Sequence, residues 1–209
     1  MKLISLMSSG IDSPVATSLI SERATKIIII HADMTPFIEK EEITNFHEIS
    51  RFLKKSIKKP VEMLIIPNGE NIVNYKKNCN NRFTCIFCKR MMLRIGEKIA
   101  EKKSASAIVT GDSLGQVASQ TLQNIRVIEQ TVKIPILRPL IGRDKEEIVD
   151  MAKKRNLFEL SIKESFDCHA VPKNPSTKAK LDDILNEEKK INIKKMVEKS
   201  VRNCKKVTL

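Results

Sequence analysis

Tryptophan is absent from the chain, tyrosine occurs once, and aromatic residues fill only 4% of its 209 positions. That scarcity argues against a platform of aromatic rings on which unpaired bases stack. No apolar run reaches the about 18 residues that a bilayer-spanning helix needs. Met1-Lys2 leads into a short apolar run rather than into a cleavable signal, so a cytoplasmic protein without membrane association is expected. Five cysteines, unevenly spaced, are too few for a secreted disulfide scaffold, which leaves metal binding or redox chemistry as the better account of them. Neither a Gly-Lys-Ser/Thr phosphate loop nor a Gly-x-Gly-x-x-Gly dinucleotide loop occurs, and there is no internal repeat or low-complexity tract.

What the chain has in excess is positive charge, with 38 Lys and Arg against 25 Asp and Glu for a formal +13. A polyanion such as RNA is favoured over an acidic lipid surface, because no strongly amphipathic basic helix is evident. An apolar content of 41% over this length suits one α/β domain with an extension rather than two full domains.

Hydrophobic patterning supplies the order of elements. Apolar runs at Leu3–Met7, Ile27–Ile30, Val61–Ile66, Ala105–Thr110 and Ile134–Leu140 read as buried parallel strands. Between them, helical periodicity is expected over Pro14–Ile20, Glu39–Lys55, Lys89–Lys103, a stretch ending near Gln130, and Arg143–Lys154. In the third of these, Met91, Met92, Ile95 and Ile99 should face inward and Arg90, Arg94, Lys98, Lys102 and Lys103 largely outward. Asn71–Arg82 is polar and reads as irregular or partly helical. Strands alternating with helices at this pitch predict a doubly wound, mainly parallel α/β sheet of about five strands. Past Asn156 the periodicity fades. Asn174-Pro175-Ser176 marks an expected boundary between a domain over 1–175 and a basic, lysine-rich helical extension over 176–209, which either docks or orders on RNA.

The most informative stretch is the first turn. The run Leu3-Ile4-Ser5-Leu6-Met7 breaks into Ser8-Ser9-Gly10-Ile11-Asp12-Ser13 and resumes as a helix with Pro14 in its first turn. A buried strand ending in hydroxyl residues and a glycine, at the positive end of a helix, makes a concavity suited to an oxyanion. Gly10 is expected to take a backbone conformation that a Cβ would obstruct. His31 stands at the carboxyl end of the second strand, where open sheets bind ligands; a loop histidine bonded to backbone is the alternative. Gly111 to Thr121 offers small and amide side chains at another strand end. Cys85-Ile86-Phe87-Cys88, with Cys79 six residues ahead of Cys85, can bind a metal, form a redox disulfide or sit inertly.

Taken in order, SSGIDSPVA (8–16), CKRMM (88–92), TGDSLGQVASQTLQN (110–124), LRPLIGRDKEEI (137–148) and the Asp167-Cys168 segment running to Asn174-Pro175 resemble the ATP pyrophosphatase (PP-loop) domain of the tRNA 4-thiouridine synthetases, the ThiI family. Ser9 stands where the Ser-Gly-Gly-x-Asp-Ser loop of that family has its first glycine. The resemblance implies ATP binding by Leu6, Met7, Ser8, Ser9, Gly10, Asp12, Ser13, His31, Ala32, Lys89, Gly111 and Gln120, with Mg²⁺ on the departing pyrophosphate. It implies Asp12 acting at activation and Cys168 at sulfur transfer, on a tRNA substrate, with a link to thiamine biosynthesis. Methanogen-type members place a Cys-x-x-Cys and the later cysteine around an iron–sulfur cluster, and Cys85, Cys88 and Cys168 match those positions. Three thiolates leave one iron of a [4Fe–4S] cluster open; zinc held by Cys79, Cys85, Cys88 and Cys168 is the alternative. The RNA-measuring THUMP region and the rhodanese domain of such enzymes are not represented in these 209 residues. A separate THUMP protein, a sulfur donor and a possible homodimer are therefore the expected partners. Two further readings stand beside thiolation of tRNA: a nucleotide- and RNA-binding partner subunit without thiolation activity, and a PP-loop enzyme thiolating another substrate.

Overall fold

The computed structural model describes residues 1–39, 41–163 and 167–208. Its centre is β1 (Lys2–Leu6), flanked by β2 (Lys26–Asp33) on one side and, after a crossover, by β4 (Ala107–Val109) on the other. β3 (Val61–Pro67) continues beyond β2 and β5 (Ile136–Leu137) beyond β4, all in parallel. The sixth strand, β6 (Lys205–Lys206), pairs antiparallel with β3, giving the order β5-β4-β1-β2-β3-β6. Chain direction across the sheet reverses at β1 and β4, so a crevice opens outside the carboxyl ends of those two strands.

The isoleucine quartet of β2 shows why the sheet is covered twice. Ile28 and Ile30 join Ile4 and Ile108 in one apolar layer, while Ile27 and Ile29 join Leu3 and Val109 in the other. Alternate side chains of a strand face opposite sides, so a continuous apolar run needs helices on both. One side is covered by α1 (Asp12–Ser21), α2 (Glu41–Ser56), α6 (Lys145–Lys154) and the short α7 (Phe158–Ser161). On the other lie α3 (Gly69–Asn78), α4 (Thr84–Lys103) and α5 (Leu122–Glu129), joined by α8 (Leu181–Glu188) and α9 (Ile193–Arg202).

One expectation is made definite and three are corrected. Asn71–Arg82 is mostly the ordered helix α3 followed by a 3-10 turn at Asn81–Phe83, and its Ile72 and Tyr75 are buried, Tyr75 stacked 4.1 Å from Phe87. Helix α4 begins at Thr84 rather than Lys89, launched by a turn in which Asn80 accepts from the Arg82 N–H and the Thr84 hydroxyl donates to the Asn81 carbonyl at 2.7 Å. Arg90 does not face outward: it is 1% exposed. β4 and β5 are shorter than their apolar runs. The helix expected from Glu39 is described from Glu41, Lys40 lying outside the described residues, as do 164–166 of the aperiodic stretch past Asn156.

Residues 176–206 pack onto the sheet's α4 side. Ile184, Met196 and Val197 are buried in the same apolar layer as α4. The link is chemical as well as apolar: Arg90 and Arg94 both grip the Glu188 carboxylate, at 2.8–3.0 Å and 2.7–2.8 Å. The segment leading into α8 is pinned by Asn124 of α5, whose side chain donates to the Ser176 carbonyl at 2.8 Å and accepts from the Ala179 N–H at 3.0 Å.

Candidate active site

The crevice at the strand ends is a cleft of about 820 Å³. One wall is the turn between β1 and α1. The N-cap residue of helix α1, Ile11, has no side chain that caps the first turn, so the positive end of the helix is turned to the cleft without a side-chain acceptor from that position. Ser8 is held over it: its N–H donates to the Ser13 hydroxyl at 2.9 Å and the two hydroxyls lie 3.1 Å apart. Asp12 faces Lys145 of α6 at 3.1 Å.

The indispensable glycine is not the expected one. Gly10 does not have a positive φ, and a Cβ there would meet only Ser8 Oγ at an ordinary 3.6 Å. A Cβ on Gly111 would sit 2.7 Å from both N and Cα of Ser13. Gly111 therefore lets the β4 turn close directly against the loop backbone.

The opposite wall is built on Asp112. It accepts from Lys89 of α4 at 2.6 Å and from the Thr110 hydroxyl at 2.8 Å, with Gln120 and Arg138 at 3.4 and 3.5 Å. Burial alone would raise this carboxyl, but the charge and hydrogen bond of Lys89, with Thr110 and Arg138, hold it below the usual aspartate range. Asp112 thus aims two cations along the cleft.

Between the walls, His31 stacks on Phe46 at 4.1 Å, with Nδ1 3.1 Å from the Met7 carbonyl and Nε2 2.8 Å from Glu42 Oε2. Glu42 also receives the Ser9 hydroxyl at 2.8 Å. Burial opposes the charge on Glu42, yet the hydrogen bond and charge of His31, with the two Ser9 bonds, hold its carboxyl below the ordinary value.

Cys88 and Cys168 face the same cleft as the loop. Cys85 and Cys88 stand one turn apart on α4. Burial drives both thiols up, Cys88 to about 12, and the neighbouring Cys168 pushes each further; Lys89 and Lys76 pull Cys85 back. The Asn68 amide donates to Cys88 Sγ at 3.5 Å. Three cysteines whose charges oppose one another are a donor set that cationic iron would relieve, so the chemistry of the trio fits a cluster. Among the described residues no group of three His, Cys, Asp or Glu side chains converges closely enough for a single ion. Cys79 does not complete a zinc set, because its thiol is turned to the Glu187 carbonyl at 3.3 Å.

Most of the residues implied by the resemblance meet here. Leu6, Met7, Ser8, Gly10, Asp12 and Ser13 line the cleft from β1 and the loop; His31, Ala32, Lys89, Gly111 and Gln120 line it from elsewhere, as do Cys88 and Cys168. Ser9 is turned out of the cleft toward Glu42, and Cys85 stands behind its lining. Sequence reasoning did not single out Glu42, Asp112, Arg138 or Lys145. Asp112, Arg138 and Lys145 lay inside the motif stretches; Glu42 is one acid among many on a charged helix and carried no signal.

This assembly has close relatives. A protein of Methanobrevibacter smithii described as "Probable tRNA sulfurtransferase" is 42% identical over 200 residues, covering 95% of this chain and 52% of that protein. One of the same description from Methanosarcina mazei is 38% identical over 209 residues, covering 100% and 52%. A solved structure described as a 4-thiouridine synthetase–RNA complex with bound ATP superposes with a TM-score of 0.93 at 34% identity, over 99% of this chain and 54% of that one. The chain spans about half the length of the curated relatives it matches. Residues 1–193, which hold every side chain of the cleft, match the family described as "Thiamine biosynthesis protein (ThiI)", and to that family the chain belongs.

Proposed function

We propose that this chain catalyses ATP-dependent thiolation of tRNA at a uridine, forming 4-thiouridine. The observation that carries the reading is that an uncapped helix start with its serine loop and the thiols of Cys88 and Cys168 open into one cleft. The relatives named for sulfur transfer, and the relative solved with ATP and RNA, support it. The uridine C4 oxygen cannot leave as oxide. Attack of that oxygen on the α-phosphorus of ATP expels pyrophosphate, N3 gives up its proton to solvent, and O4 becomes part of an AMP leaving group. The loop from Ser8 to Ser13, the N–H groups of α1 and Lys89 hold the phosphates, stabilising charge where it develops. Asp12, paired with Lys145, acts at this step, and Mg²⁺ on the pyrophosphate would neutralise the leaving charge.

Sulfur then arrives from the cysteine end. The outer sulfur of a Cys168 persulfide attacks C4 and the C4–O4 bond breaks, releasing AMP. A neighbouring thiolate attacks Cys168 Sγ, forming a protein disulfide and freeing the thionucleoside. Cys85 and Cys88, one turn apart on α4, are the thiols placed for that attack; burial raises both, and Lys89 and Lys76 offset part of the rise at Cys85. Alternatively, Cys85, Cys88 and Cys168 would hold an iron–sulfur cluster, which when bound supplies a sulfide-carrying site and replaces the persulfide route.

In this reading 1–175 is the nucleotide-handling domain and 176–209 its basic buttress. The protein acts in the cytoplasm with a THUMP-bearing partner to measure the RNA, a separate sulfur donor, and a second copy of itself. Among the described residues no helix is long and apolar enough to cross a membrane. Cys168→Ala should abolish thionucleoside formation while ATP-dependent pyrophosphate release on tRNA persists. Thionucleoside yield surviving that change removes Cys168 from the mechanism, and no pyrophosphate release from the unaltered protein with ATP and tRNA leaves a binding subunit instead.

A further inference from the structure

A carboxylate on the wall of a cleft read as a polyphosphate site is electrostatically misplaced unless it serves another purpose. Glu42 is 5% exposed and lines that cleft. One of its oxygens takes both the Ser9 hydroxyl at 2.8 Å and the Ser9 N–H at 3.3 Å; the other lies 2.8 Å from His31 Nε2. His31 Nδ1 in turn lies 3.1 Å from the carbonyl of Met7. The outcome is a closed circuit from Met7 through His31 and Glu42 to Ser9. It grips the chain on both sides of Ser8, the residue whose hydroxyl and N–H face Ser13.

The circuit also accounts for Ser9. At 7% exposed it has turned its side chain away from the cleft. A glycine there would keep the N–H bond to Glu42 but have no hydroxyl to donate. Without Glu42, a buried N–H and a buried hydroxyl would both lack partners.

We infer that Glu42 is a positioning residue for the phosphate loop, acting through Ser9 and His31, and that serine at position 9 is a tether matched to that carboxylate rather than a phosphate ligand. The inference rests on the ATP-site reading for its second readout only. The test compares Ser9→Ala, Ser9→Gly, Glu42→Gln and the Ser9→Ala/Glu42→Gln double variant by amide hydrogen exchange of residues 7–13 in the nucleotide-free protein, and by ATP affinity. Each single change should speed loop exchange and weaken ATP binding by about tenfold, the loss of one buried charge-assisted hydrogen bond. The double variant should be no worse than the poorer single, as two residues of one circuit require. The loss should fall on KM for ATP more than on kcat for pyrophosphate release, because the loop is displaced rather than deprived of a ligand. Loop exchange equal to that of the unaltered protein, or effects that multiply in the double variant, overturns the inference. Should Glu42→Gln fail to fold, loop exchange in Ser9→Ala decides alone. If the unaltered protein binds no ATP, the ATP-site reading falls while the exchange data still decide this one.

Discussion

The two walls of the cleft are held in different ways. The loop wall is local: Ser8 and Ser13 bond to each other across one turn, and the turn at Gly111 presses on their backbone. The cysteine wall is remote. Helix α4 carries Cys85, Cys88 and Lys89 on one side, and on the other its Arg90 and Arg94 are fixed by Glu188, nearly a hundred residues onward. A site can thus be written half in a short motif and half in a distant ion pair whose partners mean nothing separately.

Removing Glu188 should break the cysteine wall most strongly. Glu188→Ala leaves the Arg90 guanidinium buried with, among the described residues, only the Val127 carbonyl, at 2.5 Å, as partner. Leaving one member of a buried pair alone costs about 3–5 kcal/mol. Urea unfolding should register that loss, with hydrogen exchange rising first in α4 and α8 while the α1 turn stays protected. A loss under about 1 kcal/mol would mean the ion pair is an ornament of packing and α4 is held by apolar contact alone.

The loop wall is broken by a single methyl. Gly111→Ala places a Cβ 2.7 Å from Ser13 backbone atoms that cannot rotate away, whereas at Gly10 the nearest atom is the movable Ser8 Oγ at 3.6 Å. Overpacking of this kind costs about 1–3 kcal/mol. Thermal melts should rank Gly111→Ala well below Gly10→Ala, and ATP affinity should fall at Gly111 without any change in side-chain chemistry. Equal melting of the two variants would refute the close approach.

The legible parts of this protein were those whose signal is short in sequence. The quartet Ile27–Ile30 announced a strand buried on both faces, and the break at Ser8–Ser13 announced the loop. What was missed depends on partners far along the chain. Arg90 read as outward because a charge at that helical position normally is, and only Glu188 makes its burial tolerable. The stretch Asn71–Arg82 reads as irregular or partly helical because Ile72 and Tyr75 are too few to set a period. Its polar face is satisfied from elsewhere: Asn71 donates to the Ser200 hydroxyl at 2.9 Å. Glu42 was invisible because its role lies in the tertiary contact with Ser9. Of the cysteines, the spacing of Cys85 and Cys88 was visible at once, but their nearness to Cys168 came only from the family resemblance and then the fold.

The mildest effect isolates the far end of α4 from the cleft. Glu62, at the start of β3, joins Lys26 of β2 at 2.7 Å and Lys103 at the end of α4 at 2.6 Å. The hydrogen bonds of Lys103 and then Lys26, with their charges, outweigh burial and bring its carboxyl to about 2, against an ordinary 4.5. A carboxyl lowered on folding adds stability that is complete above its unfolded value and disappears as pH falls through the folded one. The advantage of the unaltered protein over Glu62→Gln should therefore be steady above pH 4.5 and shrink between 4.5 and about 2. Both lysines are partly exposed, at 33% and 40%, so solvent screening limits the whole effect to about 1 kcal/mol. Paired urea midpoints across that range check it. Because Glu62 touches α4 and the sheet but neither the loop nor a cysteine of the cleft, ATP affinity at neutral pH should be unchanged in Glu62→Gln; a fall there would mean that the position of α4 along the sheet, and not only its grip on Glu188, sets where Lys89 meets the phosphates.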